Sequence, residues 1–186
     1  MSRSSPPEDG RPERSRAALL SLGSNIGSRR ANLRAALERL AAADLVIERC
    51  SALYDTDPVG EITDQRSFLN MCVLARTQLP AAQLLARCKA IELALGRDPD
   101  APRHAPRPVD IDILLLGSER HRDERLQIPH PALLERRFYL IPALEIDFEL
   151  ATPAGERLAD ALALLPVEEG VRFAYPASAV IGAQAR

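Results

Sequence analysis

The stretch DIDILLL at residues 110–116, preceded by RHAPRPV, restricts the fold more than any other part of the chain. Acid and aliphatic residues alternate at its start and pure aliphatics follow, the pattern of a strand that enters a buried sheet. Successive strand side chains point to opposite faces, so Asp110 and Asp112 share one face, roughly 6 to 7 Å apart at the usual rise. Two Mg²⁺ ions suit such a pair, because Mg²⁺ keeps several waters and completes its shell with substrate phosphates. Upstream, Arg97, Arg103 and Arg107 are interspersed with Pro99, Pro102, Pro106 and Pro108, which imposes a non-helical segment carrying guanidinium groups. Arginine forks match phosphate oxygens in geometry and charge, so the stretch reads as a triphosphate site of the two-metal kind. The acid pair alone also fits a turn cap or a solvated sheet edge, and an arginine run alone is more often a solvated surface.

The remaining composition narrows the partners. At 186 residues with 46% hydrophobic side chains, the chain is long enough for one domain with a sizeable core. A net charge of -2 excludes a general nucleic-acid or anionic-membrane binder, which needs a sustained basic surface. Lys89 is the only lysine among 24 basic residues, a bias that weakens arginine counts as a signal. Cys50, Cys72 and Cys88 are widely spaced in apolar surroundings, so buried free thiols are expected, as in a reducing cytoplasm. The first sixteen residues are rich in Ser, Pro, Arg and Glu without an apolar run, and read as a disordered tail, neither a signal peptide nor a membrane span.

Taken in order, the chain predicts a strand over 17–22, a turn through Gly23, and a helix over 29–43 with Ser28 as N-cap and Leu33, Leu37 and Leu40 on one stripe. Gly23 belongs to neither a Walker loop nor G-x-G-x-x-G; it is expected to let a substrate or another backbone come close. A strand over 45–54 leads into a polar loop to Gln65, whose backbone groups could read a flat heterocycle. The next strand, 68–78, puts Phe68 and Asn70 on one face. Pro80 opens a second helix with the stripe Leu84, Cys88, Ile91 and Leu95, ended by Gly96. Lys89 and Glu92 lie off that stripe, where an exposed intrahelical pair is the favoured reading. After the acid-bearing strand come a charged turn at 118–124, a short strand at 126–128, Pro129-His130-Pro131 fixing His130, helical turns with Arg136 and Phe138, and an amphipathic segment at 158–165. By itself His130 is more often a surface or satisfied histidine than a ligand contact. The order strand, helix, strand, strand, helix, strand is that of an α+β, ferredoxin-like unit, an antiparallel sheet with helices packed on one side. Residues 17–165 form this single catalytic domain, and 166–186 a C-terminal tail with little pattern.

The segments LSLGSN, LYDTDPVG, FLN, IELALGR, RHAPRPVDIDILLLG and IPHPALLERRFYLIPALEI, in this order, resemble the 6-hydroxymethyl-7,8-dihydropterin pyrophosphokinase family. The resemblance spans about residues 17–160. It implies transfer of pyrophosphate from ATP to the pterin's hydroxymethyl oxygen in folate biosynthesis, releasing AMP. It also implies that Asp110 and Asp112 hold two Mg²⁺, that Arg97 and Arg107 act with them, and that Lys89, Glu92, Arg103, Ile113, Arg125, His130 and Arg136 lie on the ATP side. On the pterin side it implies stacking between Phe68 and Phe138, hydrogen bonds from Asn70 and Thr56, and backbone groups of Asp57 and Val59. The chain departs from the family at His104, where many relatives have Trp, at Ala105 (Gly), at Lys89 (Gln) and at Asp57 (Pro). The expected protein is a cytoplasmic monomer without nucleic-acid or membrane partners. The alternative is a non-catalytic ferredoxin-like module for a small ligand or RNA, which would want exposed aromatics and basic flanks.

Overall fold

The uninterrupted apolar runs become the inner strands of one sheet in a computed structural model, which describes residues 15–42, 44–58, 64–102, 105–167 and 170–181. The elements are β1 (Arg16–Ser24), α1 (Arg29–Ala41), β2 (Leu45–Cys50), β3 (Leu53–Thr56), β4 (Phe68–Thr77), α2 (Ala81–Ala94), β5 (Asp110–Leu116), β6 (His121–Arg122), β7 (Gln127–Ile128), α3 (Arg137–Ile146), α4 (Leu158–Leu164) and β8 (Val171–Tyr175). Strand order is β5-β1-β4-β3-β8, with β2 also on β4, and every pairing is antiparallel. The small β6-β7 ribbon stands apart.

The period of two in the strands sorts the core into two layers. Leu20, Leu22, Met71, Val73, Ile111 and Ile113 face α1 and α2, meeting Leu33, Leu37, Leu84 and Ile91. The alternate positions Leu19, Cys72, Leu74 and Leu114 meet Tyr139, Leu140 and Ala143 of α3 and Leu158 of α4. The ferredoxin-like α+β class stands, but the helices are not confined to one side: the C-terminal pair covers the opposite face.

Three local expectations need correction. The strand over 45–54 is split into β2 and β3, because Ser51 pairs with Cys72 through both its N–H and its hydroxyl, at 2.9 Å each, and the Ala52 N–H turns to Glu145 Oε2 of α3 at 2.9 Å. Ser28 precedes α1 without a hydroxyl cap; its carbonyl accepts the Asn32 N–H at 2.9 Å. Residues 166–186 are not a patternless tail throughout, since β8 pairs along the whole of β3 from Leu53↔Tyr175 to Thr56↔Val171. Gly96, with φ +93°, follows α2 as the sequence predicted.

Candidate active site

The acid-bearing strand carries Asp110 and Asp112 on the face that α3 covers, because Ile111 and Ile113 take the other face into the α1–α2 core. Register brings Gly23 opposite both Asp110 on β5 and Asn70 on β4, and Thr56 opposite Phe68. All these positions lie at one end of the sheet. A cavity of about 70 Å³ is lined there by Gly23, Thr56, Asp57, Phe68 and Asn70. A second, of about 420 Å³, is lined by Lys89, Arg97, residues of the proline-rich segment, His130 and Arg136. Arg107, Asp110, Asp112, Phe138 and Tyr139 line both, so the two acids stand at the junction.

The electrostatics of the two acids differ sharply. Asp110 accepts from Arg97 Nη1 at 2.5 Å and Arg107 Nη2 at 2.6 Å. Burial pushes its carboxyl up, yet the two guanidinium groups outweigh burial and hold it below the usual carboxylate range. Asp112 has the Tyr139 hydroxyl at 2.8 Å. Burial, reinforced by the charge of Asp110, pushes Asp112 up to about 7 against that hydrogen bond. A divalent cation at the junction would offset both effects. No group of three or more His, Cys, Asp or Glu side chains able to hold a metal occurs among the described residues. Two carboxylates alone suit Mg²⁺, which takes one or two from the protein and the rest of its shell from water and phosphates.

Behind Asp110 lies a relay of alternating charge centred on the buried Glu92. Glu92 is 0% exposed, so the exposed-pair reading fails for it. Its carboxylate accepts from Lys89 Nζ (2.9 Å), Arg97 Nη1 (2.8 Å) and the Ile111 N–H (2.7 Å). A buried carboxylate with three donors is satisfied, and it fixes α2 against β5 while it aims Lys89 and Arg97 at the larger cavity. Burial lowers the His130 pKa, with Asp110 opposing and Arg136 adding to the effect. The His130 Nδ1 accepts the Ala132 N–H at 3.2 Å, and the ring meets Tyr139 edge-on at 5.2 Å.

On the other side, Asn70 Nδ2 donates to Thr56 Oγ1 at 2.6 Å, both side chains being buried. A Cβ on Gly23 would stand 2.5 Å from Asn70 Oδ1, so the close neighbour anticipated at this glycine is the Asn70 carboxamide. Phe68 and Phe138 are brought to the same cavity, and the Arg107 guanidinium lies 5.1 Å over the Phe68 ring. Ile113 is buried in the α1–α2 core, and Arg125 sits on the exposed turn between β6 and β7; neither lines either of these two cavities, nor does Glu92. Val59 and Arg103, and the departure at His104, lie outside the described residues.

Two further residues belong to the site. Tyr139 holds Asp112 and packs against Phe138 with ring centroids 4.4 Å apart; beside Phe138 in an apolar helix it reads from sequence as core. Asn25 is fully buried, accepts the Arg107 N–H at 2.8 Å, and donates to Gln65 Oε1 at 2.8 Å and the Arg66 carbonyl at 3.3 Å. Its position inside LSLGSN was the only signal.

The sequence profile for 7,8-dihydro-6-hydroxymethylpterin-pyrophosphokinase (HPPK) matches residues 19–148. The chain is 40% identical over 156 residues to 2-amino-4-hydroxy-6-hydroxymethyldihydropteridine pyrophosphokinase of Bacillus subtilis, covering 83% of this chain and 88% of that one. The enzyme of the same name from Methylorubrum extorquens is 45% identical over 150 residues, 80% and 92% of the two chains. The mitochondrial folate synthesis bifunctional protein of Arabidopsis thaliana is 43% identical over 128 residues, 69% of this chain but 23% of that protein, so the chain spans about a quarter of its length. Among solved structures, a wild-type Plasmodium falciparum HPPK-DHPS with pterin and p-hydroxybenzoate superposes with a TM-score of 0.60 at 16% identity, over 83% of this chain and 42% of that one, a likeness of fold. No described helix is long and apolar enough to cross a membrane. By sequence profile and by near full-length relatives, the chain belongs to the 7,8-dihydro-6-hydroxymethylpterin-pyrophosphokinase family.

Proposed function

We propose that the two cavities divide the family's reaction between them, ATP in the larger and 6-hydroxymethyl-7,8-dihydropterin in the smaller, with pyrophosphate passing across Asp110 and Asp112. The observation that carries this is the placement of both acids at the junction of the cavities. Asp110 and Asp112 would hold two Mg²⁺, whose chemistry is to neutralise triphosphate charge and acidify the attacking hydroxyl. Lys89, Arg97, Arg107, His130 and Arg136 present donors to the nucleotide, joined by Arg103 and Arg125 of the surrounding segments, with Glu92 aiming Lys89 and Arg97 from below. The pterin ring stacks between Phe68 and Phe138, a contact on the order of 1 kcal/mol beyond area burial. Asn70, Thr56 and the backbone at Asp57 and Val59 read its pyrimidinone edge. The hydroxymethyl oxygen then bonds to the β-phosphorus while the bond to the α-phosphate oxygen breaks, which leaves AMP. Orientation across the junction supplies most of what the chain itself contributes.

Free thiols at Cys50, Cys72 and Cys88 support a reducing, cytoplasmic setting. The test is the nucleotide product: with ATP, Mg²⁺ and the hydroxymethyl pterin, AMP should accumulate, and ADP as the sole product would overturn the proposal.

A further inference from the structure

β3, whose Thr56 lines the smaller cavity, is flanked on its outer side by a strand, β8, that lies outside residues 19–148, the part of the chain that matches the family profile. β3 is four residues long and pairs with β4 only over Tyr54, Asp55 and Thr56. With β4 alone beside it, its outer backbone groups at Thr56 would face solvent at a sheet edge. β8 occupies that edge, pairing Leu53 with Tyr175, Tyr54 with Phe173, Asp55 with Arg172 and Thr56 with Val171. The contact continues past the end of β3, where the Asp57 N–H donates to the Gly170 carbonyl at 3.3 Å. Arg172 Nη2 also reaches Asp57 Oδ1 at 2.7 Å. That hydrogen bond draws the Asp57 pKa below the usual carboxylate value. A Cβ on Gly170 would meet the Asp57 carboxylate and the Arg172 guanidinium, so a side chain there would have to displace the pair. The Tyr54 and Phe173 rings meet edge to face at 6.3 Å, and the Tyr54 hydroxyl donates to Glu145 of α3 at 2.8 Å.

We propose that β8 and the Asp57–Arg172 pair form the outer rail of the pterin cavity, a positioning element that fixes Thr56 and the chain leaving it at the spacing the ring requires. This rests on the reading of the smaller cavity as the pterin site. The pair also gives the aspartate at 57, where the family resemblance leads one to expect proline, a partner away from the ring. Proline fixes φ covalently. Here hydrogen bonds to a strand from the far end of the chain hold the same point.

The test uses the full chain with ATP, Mg²⁺ and the hydroxymethyl pterin, and compares Arg172→Glu, Arg172→Lys and Gly170→Ala with the parent. Arg172→Glu sets a like charge against Asp57 and Asp55, and Gly170→Ala displaces the Asp57 carboxylate. Both should raise KM for the pterin about fivefold or more while KM for ATP and the melting temperature stay near the parent's, and Arg172→Lys should retain most of the parent's pterin KM. The Asp57 amide should exchange with solvent faster in the first two variants. Pterin KM within twofold of the parent in both, or a matching rise for ATP, overturns the rail. A parent chain that turns over no pterin would instead bring down the assignment of the cavity, so the two failures are separable.

Discussion

At the level of single residues, the two acids of the junction have opposite roles in stability although the proposed function gives both the same chemistry. Asp110 satisfies two guanidinium groups, whereas the half-buried Asp112 has one neutral donor. Replacing either by Ala is expected to slow turnover roughly a thousandfold, about 4 kcal/mol of barrier. A variant within tenfold of the parent would remove that acid from the mechanism. Asp112→Asn separates stability from activity in the metal-free protein. The folded pKa of Asp112, about 7, exceeds an unfolded value of about 3.9, so the native state binds more protons between these values and stability falls as pH rises through that window. Asp112→Asn should flatten this decline in urea unfolding series with chelator present, and an unchanged pH dependence would show that Asp112 is not the group responsible. The acids, Phe68 and Asn70 were legible in the sequence because a strand's alternation assigns faces without knowledge of any partner. Tyr139 and Asn25 were not, since what marks them is a partner 27 residues away for one and 82 for the other.

Among the elements, the joint between α2 and β5 depends on Glu92. Glu92→Ala would leave the Ile111 N–H without its acceptor and Lys89 and Arg97 without their shared carboxylate. The expected loss is about 3 kcal/mol of stability, together with weaker ATP binding. Lys89→Ala, at a half-exposed group, should cost less than about 1 kcal/mol. Denaturant unfolding of the two variants measures the contrast, and equal effects would mean that Glu92 is no more than a surface partner of Lys89. The sequence pattern identified which stripe of α2 is apolar but placed Glu92 outside, because periodicity sees the sheet-facing stripe and not the neighbouring β5 backbone that buries a flanking position. The same blindness explains the helices. A stripe says that α3 is covered on one side, and only the chain's path says which face of the sheet covers it. Val171, Phe173 and Tyr175 do alternate as a strand should, but five residues with two exposed aromatic rings carry little signal until β3 is seen to need an edge partner.

On the scale of the whole molecule, the site is a seam between segments far apart in the chain, and Asn25 is the stitch between two of them. Its backbone N–H donates to the Arg107 carbonyl at 3.2 Å while its side chain accepts from the Arg107 N–H, which holds the arginine-bearing segment to the end of β1. The same carboxamide donates to Gln65 and Arg66 just before Phe68, which holds the segment that enters the wall of the smaller cavity. One side chain therefore ties together the two sides that the proposed function gives to phosphate and to the ring. Asn25→Asp keeps the acceptor for the Arg107 N–H and removes both donors, so it should weaken pterin binding more than ATP binding. Asn25→Ala removes every side-chain contact and leaves the Arg107 N–H and the Arg66 carbonyl to find other partners, at about 1 to 3 kcal/mol for each buried group left unpaired. The expected pattern is a pterin KM raised about tenfold in the aspartate variant with ATP little changed, and both constants raised with kcat lowered in the alanine variant. Steady-state titration of each substrate against saturating amounts of the other reads this split directly. If Asn25→Ala left both constants within twofold of the parent, the two halves of the site would have to be held in register by the sheet alone.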